Sequence, residues 1–159
     1  MIRVGQGFDL HPTAPGRPLV LGGVEVPADR GLAGHSDADV LTHAVADALL
    51  GALALGDLGH HFPDSDPRYR GISSLRLLTL VREKVQARGG HVLNVDATVV
   101  AERPQLAGWL ETMRARLAET LELAIDRVSV KAKRAEGLGA LGRQEGIAAL
   151  AVALVDAPE

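Results

Sequence analysis

The chain has 159 residues, 47% hydrophobic and 23% charged, with a formal net charge of −3, proportions that fit one folded domain over residues 1–159 and exclude a disordered or low-complexity chain. No run of Lys and Arg is long enough for a nucleic-acid or membrane-binding face. Cysteine is absent, which excludes disulfides and leaves imidazole nitrogen and carboxylate oxygen as the side-chain donors for any metal.

Ile2, Val4 and Phe8 alternate with Arg3 and Gly5, which predicts a strand ending at His11-Pro12. No charged segment followed by an apolar one opens the chain, and no span approaches ~18 uninterrupted apolar residues, so a cytoplasmic location is expected. Leu19 to Val26 is expected to be extended. Val40, Leu41, Ala44, Val45, Ala48, Leu49 and Ala52 recur at helical spacing, predicting a helix to about Leu53, capped by Ser36 or Asp37, with one apolar stripe. His43 and Asp47 share its other side, one turn apart.

Gly56 to Arg70 is rich in turn formers and polar groups and reads as a working loop. A second helix is predicted from Ser73 to Arg88, with Leu75, Leu78, Val81 and Val85 on one face and Gly89-Gly90 as its stop. Val92 to Ala101 reads as strand, Gln105 to Leu121 as a third helix on Leu106, Leu110, Met113 and Leu117, and Val128 to Lys133 as strand. Ile147 to Val155 combines helix-favouring alanines with an alternation of Leu150, Val152 and Leu154 against Ala149, Ala151 and Ala153. It is expected to be a strand buried on both faces, its small side pressed against a close neighbour. The order predicts an α/β or α+β sandwich, with helices on one face of the sheet. No internal repeat of 20–50 residues is present.

Asp9 and His11 are two apart in a strand, so their side chains leave the same face from Cα atoms ~6.6 Å apart, a spacing that lets one ion bridge them. Taken alone, the pair is read as well by a turn-capping Asp9 beside a surface His11 ahead of Pro12, and it is weak evidence for a metal by itself. His35-Ser-Asp-Ala-Asp precedes the first helix and His43 lies on it, so imidazoles and helix-start amides could converge on a phosphate or a metal; alternatively, His43 is a partly buried residue bonded to Asp47. His60-His61 reads as a solvated loop pair. Gly137, Gly139 and Gly142 match G-x-G-x-x-G but are followed by too little chain for a dinucleotide unit. What the glycines retain is a backbone open to phosphate, with Arg143 beside it.

The series Gly5-Gln-Gly-Phe-Asp-Leu-His11, Gly34-His-Ser-Asp-Ala-Asp-Val-Leu-Thr-His43, Asp47-Ala-Leu-Leu-Gly51, Gly56-Asp-Leu-Gly59, Phe62-Pro-Asp-Ser-Asp66, Ala101-Glu-Arg-Pro104, Val130-Lys-Ala132, Glu136-Gly-Leu-Gly139 and Glu145-Gly-Ile147 resembles the 2-C-methyl-D-erythritol 2,4-cyclodiphosphate synthases of the non-mevalonate isoprenoid pathway. The resemblance covers essentially the whole chain. It implies a homotrimer with sheets facing the axis and active sites between subunits. It also implies zinc on Asp9, His11 and His43, and a second divalent ion, magnesium or manganese, on Glu136.

The reaction implied is attack of a 2-phosphate on the β-phosphorus of a cytidine diphosphate substrate, releasing CMP. His35 falls at the position supporting the transition state, and Ser36 lies beside it. Asp57, Leu58 and Gly59 match contacts to the methylerythritol, with Phe62, Pro63, Asp64, Ser65 and Asp66 as the loop closing over it. Ala101, Glu102, Arg103, Pro104, Gln105, Leu106 and Ala107 match the cytosine contacts. Lys133, Arg134, Ala135 and Glu136 match the diphosphate segment, Ala140 falls among the substrate-binding positions, and Arg143 matches a contact at the axis. Three positions depart from the family pattern: Lys133-Arg134 stands where a Thr pair is usual, Gln105 where lysine is common, and Ala140 where phenylalanine is usual. A cation absent at position 105 thus reappears at Lys133 and Arg134, where a guanidinium donates to phosphate more strongly than a hydroxyl, giving Arg134 an expected catalytic role. A metal-dependent phosphohydrolase, and a non-catalytic module binding CDP or an isoprenoid diphosphate, are the alternative readings.

Overall fold

How closely one helix approaches one sheet decides this architecture. The computed structural model describes residues 1–159. Strand β1 (Ile2–Pro15) pairs antiparallel with β7 (Gly146–Asp156) from Ile2 opposite Asp156 to Pro12 opposite Gly146. On its other edge β7 pairs antiparallel with β5 (His91–Val100), and β5 pairs in parallel with β6 (Val128–Lys133). The short β4 (Arg30–Leu32) pairs with the end of β1, giving the mixed order β4-β1-β7-β5-β6. Strands β2 (Leu19–Leu21) and β3 (Val24–Val26) form a separate hairpin.

Helix α1 (Val40–Ala52) packs on β1 and β7, α3 (Ser74–Ala87) packs on α1, and α4 (Leu110–Leu121) lies over β6 and α3. Helices therefore cover one face of the sheet, as predicted. Contact between β1 and α1 is made by glycine. A Cβ at Gly5 would stand 1.9 Å from the Ala48 carbonyl oxygen, and one at Gly7 would stand 1.9 Å from that of Ala44. Two residues along the strand thus match one turn of the helix, and Ala149, Ala151 and Ala153 of β7 continue the same small-residue floor, all buried. No helix is long and apolar enough to cross a membrane.

Several expectations are corrected. Helix α1 begins at Val40 with Asp39 as its cap, not Ser36 or Asp37: the fully buried Asp39 accepts from Thr42 N, Thr42 Oγ1, Gly22 N and Gly23 N. Burial raises its carboxyl above the ordinary range, and the Thr42 hydrogen bonds offset only part of that. Nor is α1 a one-stripe helix; sandwiched between sheet and α3, it is buried nearly all round. The third helix starts at Leu110, after a single tight turn over Ala107–Trp109, instead of at Gln105. Strand β1 runs on to Pro15, and β4 went unpredicted, being three residues with no alternation to read.

The strand over Ile147 to Val155 is present, with its alanine side pressed on α1 as expected, but it is not buried on both faces. Leu150 and Val152 are 42% and 45% exposed and continue an open apolar surface formed by Ile2, Val4, Phe8 and Leu10 of β1. Where α1 crosses the two strands the larger side chains thus point away from it, because its close approach leaves room only for Gly and Ala; Ile147 and Val155, at the two ends of β7, turn inward and are buried.

Candidate functional site

The alternation that turns Gly5 and Gly7 towards α1 turns Asp9 and His11 the same way, just beyond the point where the helix presents His43. Asp9 Oδ2 lies 2.9 Å from His11 Nε2 and 3.1 Å from His43 Nδ1, and the two ring nitrogens are 3.4 Å apart. The three donor atoms all lie within 4.8 Å of one another. His11 Nδ1 is 2.8 Å from the Ala33 carbonyl oxygen. A carbonyl only accepts, so Nδ1 carries a proton, and Nε2, which faces Asp9, is the nitrogen that a neutral His11 would offer to an ion. One carboxylate oxygen and two imidazole nitrogens converging on a point are the donor set of a zinc site that keeps a fourth position open, and the side chains fit such an ion.

Electrostatics agree with the geometry. Burial by itself would raise the Asp9 carboxyl, but hydrogen bonds and charge from His11 and His43 outweigh it and hold the group far below the usual carboxylate range. For His11 the balance runs the other way: burial lowers its pKa, and the bond to Asp9 more than restores it, leaving a net rise.

These groups open into a cleft of about 470 Å³ that also gathers His35, Ser36, Asp57, Leu58, Gly59, Phe62 and Asp64. His35 Nδ1 stands 4.0 Å from Asp64 Oδ1, across the mouth of the cleft. Phe62 is buried edge-on to Tyr69 and closes the floor. Asp57 caps the one-turn helix α2 (Leu58–His61) through His60 N. The backbone bearing His35 is held by Arg17, which donates to the Gly34 and Ser36 carbonyl oxygens at 2.8 and 2.9 Å.

Other expected residues lie elsewhere. Pro63 and Ser65 are exposed and do not line the cleft. Asp66 is tied to Arg68 by a two-pronged ion pair and caps the tight turn Pro67–Tyr69. Glu102, Arg103, Pro104 and Gln105 line a second cleft of about 680 Å³ with Thr13, Asp29, Arg30 and Gln144, which shares no residue with the first. Ala101 and Leu106 are buried in the core, so only their backbone remains to meet a ligand, and Ala107 is exposed in the turn before α4.

Lys133 ends β6; Arg134, Glu136 and Ala140 are exposed and Ala135 half-buried. Glu102 Oε1 accepts from Arg134 Nη2 at 2.8 Å, and its Oε2 accepts from Ala135 N at 3.1 Å. This pairing joins the two segments within one chain. Arg143 pairs with Glu145 at 2.6 Å. Gly137, Gly139 and Gly142 form a turn and the one-turn helix α5 (Gly139–Gly142) leading into β7, which rules out a dinucleotide unit.

Asp47 is not the partner of His43. It accepts from Leu58 N at 2.7 Å and thereby holds α2 against α1. The partner is Ser74, whose Oγ lies 2.8 Å from His43 Nε2, with Ser36 Oγ at 3.2 Å. Sequence reasoning missed Ser74, 31 positions away from His43 on a different helix, and it missed Arg17; neither carries a local signal.

A profile of the YgbB family matches residues 2–156. The 2-C-methyl-D-erythritol 2,4-cyclodiphosphate synthase of Burkholderia mallei is 56% identical over 153 residues, covering 96% of this chain and 94% of its own length. Among solved structures, the bifunctional IspDF from Campylobacter jejuni superposes with a TM-score of 0.95 at 40% identity, over 100% of this chain and 43% of that one. A 2C-methyl-D-erythritol-2,4-cyclodiphosphate synthase in its CDP-bound form superposes with a TM-score of 0.89 at 38% identity, over 97% of this chain and 100% of the other.

Proposed function

The chain belongs to the YgbB family, and from that membership and the site just described we propose that it is a phosphorus–oxygen lyase of isoprenoid precursor biosynthesis. It converts 4-diphosphocytidyl-2-C-methyl-D-erythritol 2-phosphate to 2-C-methyl-D-erythritol 2,4-cyclodiphosphate and CMP. The observation that carries this reading is the convergence of Asp9, His11 and His43 in a cleft of about 470 Å³, on a chain 56% identical to a named synthase.

The nucleophile is a phosphate of the substrate itself, already ionised at neutral pH, so the protein need supply little acid–base chemistry. Its task is to fold the substrate so that the 2-phosphate oxygen, the β-phosphorus and the departing CMP oxygen lie in line. Divalent ions on Asp9, His11 and His43, which we assign as zinc, and on Glu136, which we assign as magnesium or manganese, would neutralise the phosphate oxygens as charge moves to the leaving group. Asp57 and the Leu58–Gly59 backbone bind the methylerythritol hydroxyls. His35 faces the reacting phosphates from the cleft wall.

One chain holds the two halves of this site apart: the metal cleft and the Glu102–Gln105 cleft share no residue. Their separation supports a homotrimer in which the cytosine-binding segment of one subunit faces the metal cleft of the next. The open apolar surface of Ile2, Val4, Phe8, Leu10, Leu150 and Val152 supports burial of that sheet face against other subunits. The same reading places the enzyme in the cytoplasm.

Arg134 tests how the departure from the usual Thr pair works. It is exposed and free to exchange Glu102 for a substrate phosphate, so Arg134→Ala should raise the substrate KM roughly ten-fold with kcat little changed. An unchanged kcat/KM would remove Arg134 from the site. The function as a whole is tested by phosphorus NMR of the protein with substrate, zinc and magnesium. Cyclic diphosphate and CMP together support the synthase; binding without turnover indicates a non-catalytic module.

A further inference from the structure

We infer that Asp37 and Ser74 form a proton-orienting relay that fixes the tautomer of His43 and so makes its Nδ1 a metal ligand. The inference rests on the metal reading of Asp9, His11 and His43. The Ser74 hydroxyl has one proton, and that proton is committed: Oγ donates to Asp37 Oδ1. Towards His43 Nε2, 2.8 Å away, Ser74 can therefore only accept. Nε2 then keeps a ring proton, so a neutral His43 offers its lone pair at Nδ1, the atom that faces Asp9 and His11. Ser74 is fully buried and His43 nearly so, hence no water competes for this bond.

Asp37 is held in its own place by backbone. Its Oδ2 accepts from Ser74 N at 2.8 Å, closing the first turn of α3, where Ser73 makes no capping bond of its own. Its Oδ1 also accepts from Asp39 N at 3.2 Å. A carboxylate is thus required on both sides: one oxygen anchors the helix start, and the other turns the serine proton away from the imidazole. The only other hydroxyl near Nε2 is that of Ser36, at 3.2 Å, which also accepts from Ala38 N.

An amide at position 37 reverses the relay. In Asp37→Asn an oxygen kept on Ser74 N, the 2.8 Å bond that closes the start of α3, puts the NH2 group opposite Ser74 Oγ, where it donates, at the loss of the longer 3.2 Å bond from Asp39 N. The serine proton then points at Nε2 and favours the ring form protonated on Nδ1, which cannot bind a metal. A purely structural role for Asp37 predicts damage that deepens when Ser74 is also removed; the relay predicts repair.

The experiment measures the affinity of the full chain for zinc alone, by competition with a chelator and without substrate, for wild type, Ser74→Ala, Asp37→Asn and the double variant. Ser74→Ala keeps the backbone bond to Asp37 and should weaken zinc binding by about 10–100-fold, the usual cost of losing an orienting partner. Asp37→Asn should be weaker still, and the double variant should return to the Ser74→Ala level. In the zinc-loaded wild type, proton NMR should show a hydrogen-bonded His43 Nε2 proton that moves upfield in Ser74→Ala. Wild-type affinity in Ser74→Ala, or a double variant no better than Asp37→Asn, overturns the relay while leaving the metal reading intact. A wild type that binds no zinc overturns both.

Discussion

Asp9→Ala should abolish stoichiometric zinc binding and lower kcat/KM by roughly a thousand-fold, equivalent to about 4 kcal/mol of lost transition-state stabilisation. Asp9 supplies the one oxygen of the three-donor set, and the same atom lies within 3.1 Å of both imidazole nitrogens. Without it the two imidazoles, 3.4 Å apart, face each other with no anion between them to offset the charge of a dication. The side chain sits midway along β1, past the Gly5–Gly7 contact with α1, and faces the cleft, so the fold should survive. Its remaining hydrogen bond, from Leu10 N at 2.9 Å, is local. Metal content by elemental analysis, read beside the thermal midpoint, checks both halves. Full activity with one zinc per chain would contradict the ligand assignment, and loss of the fold would mean that Asp9 is structural.

Gly7→Val should cost about 3 kcal/mol or more and lower Tm by roughly 6–12 °C. The added Cβ meets backbone, with the Ala44 carbonyl oxygen 1.9 Å away and Ala48 N 2.8 Å away, so no rotamer relieves it. Either α1 lifts from β1 or the strand leaves its register with β7. Lifting α1 would carry His43 away from Asp9, so zinc affinity should fall with stability, although position 7 touches no ligand. Gly16→Ala is the matched control: a Cβ there meets nothing within 4 Å, and only the positive φ of 72° opposes it. Equal stability of Gly7→Val and wild type would overturn the close-packing account.

These two predictions also mark what was legible in the sequence. Asp9, His11 and His43 were readable because strand period and motif spacing place them on defined faces, and the structure brings all three together. The helices over Val40–Ala52 and Ser74–Ala87 followed from apolar periodicity. Which side of β1 faces the core did not follow. Alternation alone assigned no inner face to Ile2, Val4 and Phe8; Gly5 and Gly7 are buried and Phe8 is 53% exposed, because contact with α1 selects for the absence of side chains. A strand that looks apolar on both faces, such as Ile147 to Val155, likewise gives no hint that one face waits outside the chain.

The partner of His43 was misread for a different reason. Helical spacing makes Asp47 a neighbour of His43 on the helix surface, but spacing does not say which groups a tertiary contact will claim first. Leu58 N takes Asp47, and Ser74, from a helix 31 positions on, takes His43. The two substrate segments were identified through family resemblance. Their separation into clefts with no shared residue is a three-dimensional fact that no motif encodes.

The central claim is that the nucleophile is the substrate's own phosphate and not water. Turnover of the metal-loaded enzyme in heavy-oxygen water, with the products weighed by mass spectrometry, tests it directly. Intramolecular cyclisation predicts CMP and cyclic diphosphate that both carry no heavy oxygen, since every oxygen comes from the substrate. A heavy oxygen in CMP, or in a linear methylerythritol bisphosphate, would show that water attacks and would make the protein a phosphohydrolase.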